Sequence, residues 1–440
     1  MKRDILGSLI SWKSSARRKP LILKGARQVG KTYILKIFGQ TQYSDLAYFN
    51  FDEDALLDQF FEDRLDPIKI LEKLTIYRDK PIDAGKTLIV FDEVQRSDRA
   101  LNSLKYFQEQ APEYHVIAAG SLLGIKLSGP QSFPVGKVSL LSLYPLSFFE
   151  FLDALGKSLL RQLLEGTKEL VPFDEPFHRE LIELLRSYYF VGGMPEAVEH
   201  YAKHRELNEV RRIHKEIIDT YLLDFSKHAP VSEVMKITNI WNAIPGQLAK
   251  ENKKFIFSAI RKSARARDYE VALQWLISAG LIYQSHHVAT PQSPLKSHHD
   301  QEIFKVFLLD VGLLAAMCNI SATTLIDGNR LFTDFKGSLI ENFVAQELTY
   351  HGQDGLYYWT SSGTAEVDFL VELEREVLPL EVKAGVDKKK KSLRVYADKY
   401  HPRVICRASL LNLKRDEDVC NYPLYALKVF LRVQGGKLEF

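Results

Sequence analysis

Gly25-Ala26-Arg27-Gln28-Val29-Gly30-Lys31-Thr32 fits the pattern G-x-x-x-x-G-K-[ST] at every fixed position, and it constrains this chain more than any other stretch. The pattern requires a strand, a tight loop and a helix in that order. Pro20-Leu21-Ile22-Leu23-Lys24 has the length and apolar character of the strand, and Tyr33-Ile34-Leu35-Lys36-Ile37-Phe38 reads as the first turns of the helix. Successive N–H groups between the glycines form a concavity for anions, and the helix presents its positive end to the same place. Lys31 is placed to add a full charge at the β- and γ-phosphates of a nucleotide, and the Thr32 hydroxyl to bind Mg²⁺. The expected ATP-binding residues are therefore Gly25, Ala26, Arg27, Gln28, Val29, Gly30, Lys31, Thr32 and Tyr33, with Mg²⁺ as the accompanying ion. A glycine turn that merely happens to carry Lys-Thr is the bland alternative, and it does not explain the strand and helix on either side.

A second stretch, Thr87-Leu88-Ile89-Val90-Phe91-Asp92-Glu93, is an apolar run ending in two acids. A parallel strand buried on both faces reads as such a run, and its carboxyl end opens onto the ligand crevice. This is the form of a Walker B segment, in which Asp92 would hold Mg²⁺ through its water shell and Glu93 would polarise the attacking water. The run His115-Val116-Ile117-Ala118-Ala119 leads to Gly120-Ser121. Ser121 has two readings, a sensor of the γ-phosphate or a plain turn serine. The expected catalytic set is Lys31, Glu93 and Ser121, with Thr32 and Asp92 at the metal.

At 440 residues the chain is long enough for two or three domains. It is 46% hydrophobic and 26% charged, the balance of an ordinary globular protein. A formal charge of only +3 gives the whole chain no strong pull on nucleic acid, so any such contact needs a local basic patch. Cys318, Cys406 and Cys420 lack the spacing of a zinc site or disulfide framework, which fits a reducing compartment; a cytoplasmic location is expected. Asp4, Ser8 and Ser11 interrupt the apolar residues after Lys2 and Arg3, and neither a signal peptide nor a membrane span is expected.

Taken in order, residues 1–19 read as helix followed by the basic run Arg17-Arg18-Lys19. Leu46-Ala47-Tyr48-Phe49-Asn50-Phe51 reads as a strand, and Asp52-Glu53-Asp54 after it either face the crevice or open the next helix, the second being favoured. Strands and helices alternate to about residue 150, which means a parallel sheet with helices on both faces. Leu143-Tyr144-Pro145-Leu146-Ser147-Phe148 is an extended step into a helical region.

Together, Gly25–Thr32, the strand ending Asp92-Glu93-Val94-Gln95, Gly120-Ser121 and Tyr144-Pro145-Leu146-Ser147-Phe148 resemble the AAA+-type ATPases of bacteria and archaea. In that family a P-loop domain is followed by a conserved domain of unknown function with a nuclease-like end. The resemblance implies an α/β fold: a P-loop NTPase (AAA+-like) domain with a parallel sheet over 1–155, a helical and winged-helix region over 156–325, and a restriction-endonuclease-like α/β domain over 326–440.

Within the middle region, Tyr188-Tyr189-Phe190-Val191-Gly192-Gly193-Met194-Pro195 reads as a helix stop or hinge rather than a ligand contact. Lys254–Ile260, the basic turn Arg261-Lys262-Ser263-Ala264-Arg265-Ala266-Arg267 and a helix from Asp268, its expected N-cap, form a helix-turn-helix pattern. Two later runs, Leu281-Ile282-Tyr283 and Val306-Phe307-Leu308-Leu309, suit the strands of a wing. Arg261, Lys262, Arg265 and Arg267 are thus candidate DNA contacts, and a solvated surface is the alternative.

Near the C-terminus, Ala365–Val371 and Leu378–Lys383 read as two strands with Glu366 and Asp368 on one face and Glu381 and Lys383 on one face. If the strands pair, these four can converge on a second divalent ion, Mg²⁺ or Mn²⁺. The spacing resembles restriction-endonuclease-like nucleases, and Glu341 on the preceding helix, near Phe335–Tyr350, adds the further acid that the resemblance implies. Lys388-Lys389-Lys390-Lys391 follows, either as a nucleic-acid contact or as a solvated linker.

Three functions fit these residues. The leading one is a Mg²⁺-dependent ATPase acting as a nucleotide-driven switch on DNA. The others are an ATP-regulated, metal-dependent DNA nuclease, and an ATP-controlled module that binds a protein through an inactive nuclease fold. An oligomer is compatible with all three, since many ATPases take an arginine from a neighbour; Arg96 and Arg186 are available within this chain.

Overall fold

The computed structural model describes residues 1–62, 65–121, 136–250, 254–322, 337–385 and 391–435. They fall into two compact units, one essentially Arg3–Tyr144, the other holding Pro145–Ile277 and the chain from Leu281 onward. Among the described residues no helix is long and apolar enough to cross a membrane.

The first unit is an α/β fold built on a five-stranded parallel sheet. Its strands are β1 (Leu21–Lys24), β2 (Asp45–Asn50), β3 (Thr87–Asp92), β4 (His115–Gly120) and β5 (Ser139–Ser142), in the order β2-β3-β4-β1-β5. Every residue of β3 and β4 is buried, which is why both read as unbroken apolar runs. Among the described residues the unit also holds helices α1 (Ile5–Ser14), α2 (Lys31–Gln42), α3 (Pro67–Tyr77) and α4 (Asp98–Gln110). Ile22, Ile89, Phe91, Val116 and Ala118 share one core with Leu71, Leu74, Leu101, Leu104 and Phe107. The acids after β2 open a helical turn, as favoured: Asp54 accepts from Leu56 N at 2.8 Å at the start of a 3-10 segment, Ala55–Phe61.

The second unit begins with α5 (Phe148–Ala154), whose start is fixed by a capping box between Ser147 and Glu150. There follow α6 (Ser158–Gly166), α7 (Glu175–Val191), α8 (Pro195–His204), α9 (Leu207–His228), α10 (Val231–Leu248) and α11 (Ala266–Ser278). Helix α11 starts two residues before Asp268, so that residue is in the first turn, where its charge still suits the helix dipole, and is not the N-cap.

The remaining strands form one mixed sheet: β6 (Ile282–Val288), β7 (His299–Leu308), β8 (Leu356–Thr360), β9 (Glu366–Leu373), β10 (Glu376–Val382), β11 (Ile405–Ser409), β12 (Lys414–Asp416) and β13 (Val419–Pro423). Their order is β12-β13-β11-β10-β9-β8-β6-β7. The β6–β7 hairpin expected as a wing is thus an edge of this larger sheet, joined by parallel pairing of β6 with β8, and the sheet spans the boundary expected at 325. Between and after these strands lie α12 (Val311–Met317), α13 (Ser338–Tyr350), α14 (Lys391–Tyr400) and α15 (Leu427–Gln434). Strands β9 and β10 do pair, antiparallel, across Glu374 and Arg375, both at positive φ. Of the basic run, Lys388, Lys389 and Lys390 lie outside the described residues, as do Phe335 and the residue after it in the expected helix.

Gly192 and Gly193 do end α7, and they do so at a packed junction. Gly193 N donates to Asp310 Oδ2 at 2.6 Å and its carbonyl accepts from Leu146 N at 2.7 Å. Asp310 is fully buried; burial pushes its carboxyl up to about 6 against hydrogen bonds from the Gly193, Leu313 and Gly312 N–H groups. Tyr188 donates to the Leu146 carbonyl and accepts from Gln346 Nε2 at 2.7 Å, and Glu347 on the same helix accepts from Phe148 N at 3.0 Å. A Cβ added at Gly193 would lie 2.1 Å from the Leu146 carbonyl oxygen, a backbone atom that cannot swing aside. Gly193→Ala should therefore destabilise this unit by about 3 kcal/mol, seen as a lower urea midpoint. Gly246→Ala, in α10 with no atom within 4 Å of the added Cβ, should leave the midpoint unchanged or raise it.

Candidate functional site

The loop between β1 and α2 is held in its turn by backbone conformations that its sequence supplies. Gly30 takes a left-handed φ of 93° at the start of α2, and Gln28 has φ 64°. A Cβ at Gly25 would lie 2.3 Å from the Leu143 carbonyl oxygen, so only glycine lets the loop run so close to the chain beyond β5. Val29 and Ala26 are buried beneath the loop, whereas Gln28 and Tyr33 are exposed. Arg27 and Thr32 are intermediate.

Lys31 opens α2 and turns back over the loop, donating to the carbonyls of Gly25 at 2.9 Å and Ala26 at 2.8 Å. Burial lowers its ammonium to about 8, opposed by the nearby carboxylates of Glu93 and Asp92 and assisted by the Arg27 charge. Its neighbour Thr32 reaches across to the end of β3, where its Oγ1 donates to Asp92 Oδ2 at 2.7 Å. The same oxygen accepts from the Tyr48 hydroxyl at 2.6 Å, and Asp92 Oδ1 accepts from Glu93 N at 2.9 Å. Asp92 is 1% exposed, and these donors compensate its buried charge.

Glu93 is less enclosed and sits at φ 51°, an uncommon conformation for a residue with a side chain. Gln95 Nε2 donates to its Oε2, and Ser121 Oγ lies 3.5 Å from the same oxygen. Lys31, Thr32, Asp92, Glu93 and Ser121, drawn from three separate stretches, are therefore gathered at the carboxyl end of one parallel sheet. The donor set suits ATP and Mg²⁺: an ammonium and a helix N-terminus for phosphate, a hydroxyl paired with a carboxylate for the ion. Arg96, one candidate arginine, pairs with Asp52 at 2.6 Å.

Two positioning side chains carry no motif. Tyr48 lies in a strand that reads only as aromatic and apolar, and its register opposite Val90 is what brings it to Asp92. Arg3, 4% exposed, donates to the Val29 carbonyl at 3.0 Å and the Tyr144 carbonyl at 2.6 Å, tying the phosphate loop to the end of the unit. Its position near the N-terminus gives no sequence signal of this. Gln95, two residues beyond Glu93, holds the Glu93 carboxylate, a contact that the residue type alone does not signal.

In the second unit, the residues expected to share a second metal do not gather as a ligand set. Lys383 Nζ pairs with Glu381 at 2.9 Å. Glu366 and Glu341 instead face Lys305, a residue the sequence reading passed over; the Lys305–Glu341 separation is 3.8 Å. Asp368 accepts from Val382 N at 2.7 Å. Although its surface keeps some exposure, burial, then repulsion from Glu341 and Glu366, pushes its carboxyl up to about 7 against the pull of Lys305. Among the described residues no group of three His, Cys, Asp or Glu side chains could hold a metal ion. A second divalent site is therefore not shown among the described residues. Arg261, Lys262, Arg265 and Arg267 are all exposed, the first three before α11 and Arg267 within its first turn, 3.7 Å from Asp268.

Comparison with known families matches residues 17–152 to the model described as AAA domain. Residues 182–324 match Domain of unknown function (DUF8612), and residues 336–427 match Domain of unknown function (DUF4143). The comparison with curated proteins gave no match. Among solved structures, the chain is similar to the Orc1 protein of Aeropyrum pernix in complex with DNA, at 13% identity over 72% of this chain and 90% of that one, TM-score 0.30. It is also similar to AMPPCP-bound DnaA from Aquifex aeolicus, at 16% identity over 62% and 85%, TM-score 0.27. The RuvB Holliday junction branch migration motor of Thermotoga maritima gives 14% identity over 67% and 91%, TM-score 0.29. These likenesses are weak, and the fold rests on the sheet order and the AAA domain match: the first unit is a P-loop ATPase fold of AAA+ type.

Removing the Tyr48 hydroxyl takes one donor from Asp92 while keeping the ring against its neighbours. Tyr48→Phe should raise the Mg²⁺ concentration needed for half-maximal nucleotide turnover by roughly tenfold, the equivalent of one charge-assisted hydrogen bond. A Mg²⁺ titration at saturating ATP reads this, and an unchanged midpoint would show that Tyr48 does not position the carboxylate.

Proposed function

We propose that this chain binds ATP with Mg²⁺ at the end of the parallel sheet, hydrolyses it, and uses the cycle as a nucleotide-driven switch on DNA. The contact of Thr32 with Asp92, beside Lys31 and Glu93, carries the ATPase part of the reading. Lys31 and the loop N–H groups would bind the phosphates, and Thr32 and Asp92 would hold the ion. Bound Mg²⁺ would supply charge neutralisation at the phosphates. Glu93, kept at its strand end by Gln95 and near Ser121, would orient a water and draw its proton. Ser121 would report the terminal phosphate through the same glutamate.

The DNA part rests on the exposed basic turn. Four cations within residues 261–267 stand on the surface beside a helix start, an arrangement that suits backbone phosphates. Such contacts are independent of base sequence, so the reading assigns affinity here and no sequence preference.

Lys31→Ala should abolish ATP binding measured by calorimetry, and retention of full affinity would contradict the phosphate-loop assignment. Neutralising Arg261, Lys262, Arg265 and Arg267 together should weaken duplex DNA binding and flatten its dependence on salt, by a slope of about one per lost phosphate contact. In the intact protein, duplex DNA should raise the rate of ATP turnover. An unchanged rate together with unchanged DNA affinity in the neutralised variant would move the switch from DNA to a protein partner.

A further inference from the structure

The acidic cluster of the second unit surrounds a lysine. Lys305 lies on β7 and is 1% exposed. Its ammonium pairs with Glu366 on β9, stands 3.8 Å from Glu341 on α13, and lies over the Tyr358 ring on β8 at 4.7 Å from its centroid. Asp368, two residues along the same strand as Glu366, feels both acids and the lysine. Four elements, β7, β8, β9 and α13, thus meet at a single cation supplied by the chain.

We propose that Lys305 occupies the position in this cluster that a divalent cation would need, so that Glu341, Glu366 and Asp368 form a fixed ionic clamp and take no metal. A divalent ion draws several oxygens to about 2.0–2.6 Å of one point, which requires that point to be free of other cations. An ammonium already within contact of Glu366 and 3.8 Å from Glu341 would repel such an ion. The Lys305 side chain is itself buried, so its charge is held among these acids rather than in open solvent. Removing its charge would leave Glu341, which is buried, and the partly exposed Glu366 and Asp368 facing one another without a cation, an unfavourable arrangement unless another enters. The same exchange explains why a pattern of acids and lysine that suits metal chemistry in sequence does not build a ligand set here. This clamp is independent of the ATPase reading.

The test is Mn²⁺ binding by the full-length, nucleotide-free chain, read by electron paramagnetic resonance. Asp92→Asn is present throughout to silence the phosphate-loop site. The clamp predicts no Mn²⁺ site in this parent that depends on Asp368. Adding Lys305→Met should create one Mn²⁺ site per chain, lost again on Asp368→Asn, and Mn²⁺ should raise the melting temperature of the Lys305→Met protein but not of the parent. A stoichiometric site in the parent that disappears with Asp368→Asn would overturn the proposal, as would a folded Lys305→Met protein that gains no site. Should Lys305→Met fail to fold, the parent titration with and without Asp368→Asn still decides.

Discussion

Asp92 is a carboxylate at the end of the most buried strand of its sheet, and the first unit is arranged so that this charge is never left alone. Thr32 comes to it from the first turn of α2, Tyr48 from the neighbouring strand, and the Glu93 N–H from its own chain. A buried carboxylate lacking such partners would cost several kcal/mol. Meeting that requirement fixes the register of β2 on β3 and the entry of α2 relative to β3. The phosphate loop then has little freedom, since it runs between β1 and a helix whose second residue is already committed.

The second unit meets similar demands with different groups. Asp310 gathers the N–H groups of Gly193, Leu313 and Gly312, a solution that works only because glycine allows the backbone to come so near. Lys305 draws Glu366 and Glu341 onto one point and joins the β6–β7 hairpin to α13 and β9. In each case a buried charge joins elements far apart in sequence. Burial of a charge selects one arrangement of chain because every other arrangement leaves it unpaired.

Much of the first unit was legible because its information is local. Gly25–Thr32 and the run ending in Asp92-Glu93 each encode a strand, a turn and a polar end within a few residues, and alternation of strand and helix gives a parallel sheet. Tyr48 and Arg3 were not legible, since their roles depend on pairings with residues 44 and 26 or more positions away. The C-terminal hairpin was readable from its alternation, whereas the edge strands expected as a wing were not assigned to its sheet. Parallel pairing of β6 with β8 bridges roughly seventy residues and leaves no periodic mark in either strand. Lys305 shows the same limit: within its own run it is one polar residue among apolar ones, and only the folded sheet surrounds it with acids.

The most direct measurement of the central claim is Mg²⁺-dependent ATP turnover by the purified protein beside its Glu93→Gln variant, with nucleotide affinity measured for both. The arrangement around Asp92 and Glu93 predicts that the two proteins bind ATP alike and that only the wild type turns it over. Equal turnover in the variant would contradict the account, because the residue that activates water would then lie elsewhere than at the end of β3.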